Sequence, residues 1–190
     1  ITTGDWSSDV CSSDLQDHTG KAKAIALALA KGLGSTKAGV LETTFREDAT
    51  SDLFGEQAVL CGGVTALINA GFQTLVKRGY QPEIAYFECL HELKLIVDLI
   101  YSGGMMNMWR SVSNTAEFGG LTTRDLVINE ESKAAMEKML DRICSGEFAK
   151  EWLDDAKKGM PRMKALEKAE GESQVEKVGT EIRALFESKK

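Results

Sequence analysis

The chain has 190 residues, with 23 Lys and Arg against 29 Asp and Glu, a formal charge of −6, four Cys, two His and two Pro. Apolar residues at 43% and charged residues at 27% exclude wholesale disorder and collagen-like repeats. The acidic balance argues against nucleic-acid binding, and two His are too few for a His-rich metal site.

Cys11, Cys61, Cys89 and Cys144 are scattered, with no C-x-x-C pair and no zinc spacing. They read as buried free thiols in a reducing compartment rather than a disulfide framework. The first residues show no basic segment followed by an apolar one, so no signal peptide is read. The longest uncharged stretch, 57–76, contains Gln57, Thr65, Asn69, Gln73, Thr74 and three glycines, which is too polar for hydrocarbon. A soluble, cytoplasmic protein with no membrane segment is expected.

In chain order, residues 1–15 (ITTGDWSSDVCSSDL) have no helical or strand period and resemble a translated sequencing adapter. They are expected to be foreign or disordered and are set aside. A helix of Ala, Leu and Lys is predicted from Gly20 to Leu33, ended by Gly32 and Gly34. AGVLETTF (38–45) reads as a strand, and REDATS (46–51) as a connector with Ser51 as an N-cap. One long buried helix follows over 52–79, and Pro82 starts another that runs to Tyr101. Gly103-Gly104 ends it, and 105–119 is irregular or briefly helical. Residues 129–145 are amphipathic, with Ala134, Met136, Met139, Leu140 and Ile143 at helical spacing, and helices at 148–158 and 171–188 complete the chain. A single strand makes no sheet, so it must belong to a sheet completed elsewhere.

Three constellations could carry chemistry. Asp52 and Glu56 stand four apart at the head of the uncharged helix, so both carboxylates can reach one cation. They can equally be acids that complement a helix dipole. Glu88 and Glu92 lie in a helix with thirteen apolar positions among residues 84–101, and suit either an interior site or the border of a solvated stripe. Four carboxylates from two helices would make an all-oxygen site, favouring Mg²⁺ or Mn²⁺ over zinc or copper. Glu88 and His91 form a single Glu-x-x-His, whereas di-iron bundles use two. The third constellation, SVSNTAE (111–117), offers hydrogen-bond donors for a small polar ligand or simply caps a helix. No phosphate-cradling glycine loop occurs.

The runs QDHTGKAKAIALALAKGLG, AGVLETTF, SDLFGEQAVLCGGVTALINAGFQTLVKRGYQPEIAYFECLHELKLIVDLIYSGG, SVSNTAEFGG, SGEFAKEW and EKVGTEIRALF resemble the ketol-acid reductoisomerases (acetohydroxy acid isomeroreductases). The resemblance covers residue 16 to the end. It implies a mainly α fold: 16–45 as the last helix and strand of a Rossmann NADPH-binding domain, and 46–190 as an all-helical, dimer-intertwined (knotted-type) C-terminal domain of the short form. It implies Mg²⁺-dependent alkyl migration of 2-acetolactate or 2-aceto-2-hydroxybutyrate, then NADPH reduction to the 2,3-dihydroxy acid of valine, leucine and isoleucine biosynthesis. Asp52 would bridge two Mg²⁺ ions, Glu56 would hold one, and Glu88 and Glu92 would complete the other from the partner of a homodimer or higher oligomer. Ser113 would bind the substrate carboxylate. The chain departs from the family pattern at Thr122–Asp125 and in carrying only a remnant of the Rossmann domain. The chain alone is therefore expected to be inactive and its complete parent active. A helical dimerisation module without metal is the alternative.

Overall fold

The computed structural model describes residues 17, 19–37 and 39–187. The adapter-like segment 1–15, with Cys11, lies outside the described residues, as does His18. The described residues form helices and no strand. The chain divides into two compact units at the Gly55–Glu56 bond.

In the first unit, α1 (Ala22–Leu33) is a run of Ala and Leu closed by Gly34 at φ 88°. At its start the Asp17 carboxylate accepts hydrogen bonds from the backbone N–H groups of Thr19, Lys21 and Ala22. Residues 39–44, expected as a strand, form no regular structure. A β-branched run becomes a strand only by pairing, and no second strand is described. The next helix begins six residues before Ser51: α2 spans Phe45–Gly55. Thr44 caps it, its Oγ1 accepting from Glu47 N at 3.1 Å, while Ser51 Oγ turns back to the Asp48 carbonyl. The capping signal was therefore Thr44 with Glu47 three residues on, the pattern of half a capping box.

In the second unit, a π-turn (Glu56–Leu60) leads into α3 (Gly62–Lys77). Gly79 at φ 87° and the bonds Gly79 N to Val76 O and Tyr80 N to Leu75 O close α3 in a Schellman motif. Pro82 opens α4 (Pro82–Tyr86) as the sequence predicts, and a second π-turn (Phe87–His91) joins it to α5 (Leu93–Ser111). The expected stop at Gly103-Gly104 is a break at Gly104 (φ 78°, ψ 176°), after which helical structure resumes. Asn107 Nδ2 donates to the Leu99 carbonyl across it, satisfying an oxygen the break would orphan.

Next come α6 (Asn114–Val127), α7 (Glu130–Cys144), α8 (Glu147–Lys157), α9 (Pro161–Gly171) and α10 (Gln174–Glu187). Helix α9 lacks an apolar stripe and is exposed throughout, so the hydrophobic period gave no sign of it. Its start is held by the Asp155 carboxylate, which accepts from the N–H groups of Arg162 and Met163.

The core is small. Phe72, Ala85, Tyr86, Val175 and Ile182 form its buried centre, where α3, α4 and α10 meet. Gly179 is the point of closest approach, since a Cβ there would lie 2.5 Å from the Tyr86 ring. Two expectations of burial are overturned. The segments 52–79 and 84–101 are largely exposed, with Leu67 at 53%, Leu95 at 60% and Tyr101 at 93%. Cys61 and Cys144 are exposed free thiols and Cys89 is only partly covered. The reason is the same for both: apolar helices bury their faces only where neighbours exist, and one chain supplies few.

Candidate metal centre

Asp52 lies on α2 in the first unit; Glu56, Glu88, Glu92 and Ser113 belong to the second. Glu56 opens the first π-turn, and its own carbonyl accepts the i→i+5 bond from Cys61 N at 2.9 Å. Glu88 lies inside the second π-turn, and Glu92 follows it, its own N–H donating the i→i+5 bond to Phe87 O at 3.0 Å. The main chain of Glu56 and of Glu92 is thus fixed by a π-type bond, a backbone irregularity often found at functional sites.

The two turns are accommodated differently. After the first come Gly62 and Gly63, where a Cβ would fall 2.3 Å from the Gln57 carbonyl oxygen and 2.0 Å from that of Ala58. After the second come Leu93 and Lys94, so a π-turn as such does not demand glycine. The second turn instead packs on α3 at Gly71, where a Cβ would stand 3.2 Å from Cys89 Sγ. Burial there raises the Cys89 thiol pKa, and the neighbouring Glu88 charge adds to the rise.

The four acids share one property: Asp52, Glu56, Glu88 and Glu92 are exposed and make no ion pair or side-chain hydrogen bond among the described residues. Of the neighbouring acids Glu83 is likewise unpaired, whereas Asp98 is engaged. Lys94 pairs with Asp98 rather than with Glu88 or Glu92, and the His91 ring stacks on Phe87 with centroids 4.8 Å apart. An open depression lined by Phe87, Leu90, His91, Glu92, Lys94 and Leu95 adjoins Glu92. Beside Glu56, the Gln57 side-chain Nε2 is buried without a hydrogen-bond partner.

As a donor set, unpaired carboxylates are hard oxygen ligands and fit Mg²⁺ or Mn²⁺. Among the described residues no three His, Cys, Asp or Glu side chains converge as a metal-holding group. Ser113 is the N-cap of α6: its Oγ accepts from Ala116 N at 3.2 Å and lies 2.9 Å from Thr115 Oγ1. Sequence reasoning named these residues but missed both π-turns, for which the Gly62-Gly63 pair was the one visible trace.

Comparison with known proteins gives a consistent answer. Residues 45–188 match the family described as ketol-acid reductoisomerase, C-terminal domain. The chain is 59% identical over 170 residues to the ketol-acid reductoisomerase (NADP(+)) of Methanocaldococcus jannaschii, covering 90% of this chain and 52% of that protein. The enzyme of the same name from Methanothermobacter thermautotrophicus is 59% identical over 169 residues, covering 89% and 52%. A solved NADH-preferring ketol-acid reductoisomerase from an uncultured archean superposes with a TM-score of 0.86 at 51% identity, covering 90% of this chain and 52% of that one. The chain thus spans about half the length of the relatives it matches, at 52% of each.

Proposed function

Because the chain belongs to the ketol-acid reductoisomerase family, through that family's C-terminal domain, we propose that it supplies the metal- and carboxylate-holding part of such an enzyme. The reaction is the conversion of 2-acetolactate or 2-aceto-2-hydroxybutyrate to a 2,3-dihydroxy acid by alkyl migration and reduction, in branched-chain amino-acid biosynthesis. The observation that carries this reading is the placement of four exposed, unpaired carboxylates, Asp52 and Glu56 leading into the first π-turn and Glu88 and Glu92 at the second, in a chain that matches this family's C-terminal domain.

Asp52 and Glu56 would serve as ligands from one protomer and Glu88 and Glu92 from its partner. Two Mg²⁺ ions held by these carboxylates would supply Lewis-acid polarisation of the substrate's carbonyl and hydroxyl oxygens. NADPH, bound by residues outside the helical domain, would supply the hydride. The chain's own contribution is orientation. Ser113 Oγ is already an acceptor to Ala116 N, which leaves its proton to donate either to Thr115 Oγ1 or to a substrate carboxylate. That carboxylate would then face the first turn of α6, whose orphan N–H groups and dipole favour an anion.

Dimerisation follows from the same surface. Leu67, Ile84, Phe87, Leu95 and Tyr101 are exposed on the segments that carry or follow the acids. A second copy is the occupant that would both cover these faces and deliver the missing carboxylates. By length and composition the 33-residue helical run Phe45–Lys77 could cross a membrane. Its polar Gln57, Thr65, Asn69, Gln73 and Thr74 support a protein–protein interface instead, in a soluble cytoplasmic enzyme.

The test is a melting curve with and without Mg²⁺ or Mn²⁺. Saturation to about 100 times Kd stabilises by roughly 2.7 kcal/mol, a rise of about 5–10 °C for a chain of this size. The rise should vanish in Asp52→Asn/Glu88→Gln. No rise in the native chain, or an equal rise in that variant, would leave a metal-free dimerisation module as the better account. In the full-length protein, Glu92→Gln should abolish 2-acetolactate-dependent oxidation of NADPH, with NADH assayed alongside.

A further inference from the structure

The sequence offers no role for Gly62 and Gly63, and glycine inside a helix normally weakens it. Their surroundings supply one. At the start of α3 the carbonyl oxygens of Gln57 and Ala58 turn in so closely that a Cβ would lie 2.3 Å from one and 2.0 Å from the other. Both obstacles are main-chain atoms of the turn itself, so no side chain can swing away to make room. The Glu56 carbonyl takes its 2.9 Å bond from Cys61, the residue immediately before the pair. The two glycines and the π-turn are therefore one device.

Resting on the reading of Glu56 as a metal ligand, we propose that Gly62 and Gly63 are positioning residues of the metal centre. They make room for the π-turn, and the π-turn sets the direction in which Glu56 leaves the helix relative to α3. Regular α-helix through 56–60 would take one residue fewer for the same span and turn Glu56 by about 100° relative to everything downstream. Leu93 and Lys94 after the second π-turn show that the requirement is specific to the first.

The experiment measures Mg²⁺ binding by calorimetry and melting temperature, metal-free and metal-loaded, in the native protein, Glu56→Gln, Gly62→Ala and Gly63→Ala. Each alanine variant should lower the metal-free melting temperature by about 5 °C. Each should also weaken Mg²⁺ binding roughly 10–100-fold, with helical content and oligomeric state retained. Gly63→Ala, with the closer approach, should be the worse. A second set carries the same substitutions in a protein lacking Leu60, where the turn can revert to α. There the alanines should cost no melting temperature, because the carbonyls no longer intrude, while Mg²⁺ binding stays weakened.

Binding within about twofold of native in both alanine variants would overturn the positioning role and leave the metal reading intact. Alanine variants that fail to fold even without Leu60 would also overturn it, because the glycines would then serve packing alone. A native protein that binds no Mg²⁺ would overturn both.

Discussion

At the scale of single residues, close approach decides more than charge. Gly179 brings α10 against Tyr86, whose hydroxyl accepts from Arg183 at 3.2 Å while the same guanidinium pairs with Glu176. Gly179→Ala should therefore destabilise by about 1–3 kcal/mol through overpacking, read as a lowered urea midpoint with unchanged slope. Asp17 gives a pH-dependent counterpart. Desolvation, the largest single influence, pushes its pKa up, but hydrogen bonds from Ala22 N, Thr19, Lys21 N and Thr19 N together outweigh it and leave the carboxyl below its ordinary value of 3.8. A lowered folded-state pKa means the contribution is present above the ordinary carboxylate range and is lost as pH falls through the folded value. Acidification into that range should fray α1, measured by amide exchange, and Asp17→Ala should fray it already at neutral pH.

At the scale of elements, what the sequence revealed depended on whether the signal was local. Pro82 and Gly79 mark a start and a stop that the structure reproduces, while the stop expected at Gly103-Gly104 is only a break at Gly104; each acts through its own backbone dihedrals. Residues 39–44 failed as a strand because strand formation is a property of a pair. Helix α9 was invisible because it shows solvent on every side, and α2 started early because Thr44 with Glu47 was a better cap than Ser51. The acids were legible as residue types at a helical spacing, but the π-turns at Glu56, Glu88 and Glu92 were not: an i→i+5 bond leaves no period to read. The cap itself can be tested. Thr44→Ala should cost about 1 kcal/mol and delay α2 to a later start, seen as lost exchange protection at Glu47 and Asp48.

At the scale of the molecule, the exposed apolar faces of α3 and α5 explain why burial could not be read from periodicity. A 3.6-residue pattern says that a face will be covered, not by which chain. If a second copy covers α5, Leu95→Glu should shift the protein to monomer in sedimentation velocity, and the Mg²⁺-induced rise in melting temperature should go with it. A persistent dimer would move the interface elsewhere.

The siting of the buried core also fixes an order of events during synthesis. Phe72 and Tyr86 wait for Val175 and Ile182, roughly a hundred residues downstream, and contacts so distant in sequence form slowly. Until translation has passed Ile182, the Phe72 and Tyr86 rings have only their α3 and α4 neighbours and lack the cover that α10 supplies. A nascent chain at that stage presents two aromatic side chains and an uncovered apolar helix together, which is the kind of surface that chaperones bind and that premature termination would leave permanently open.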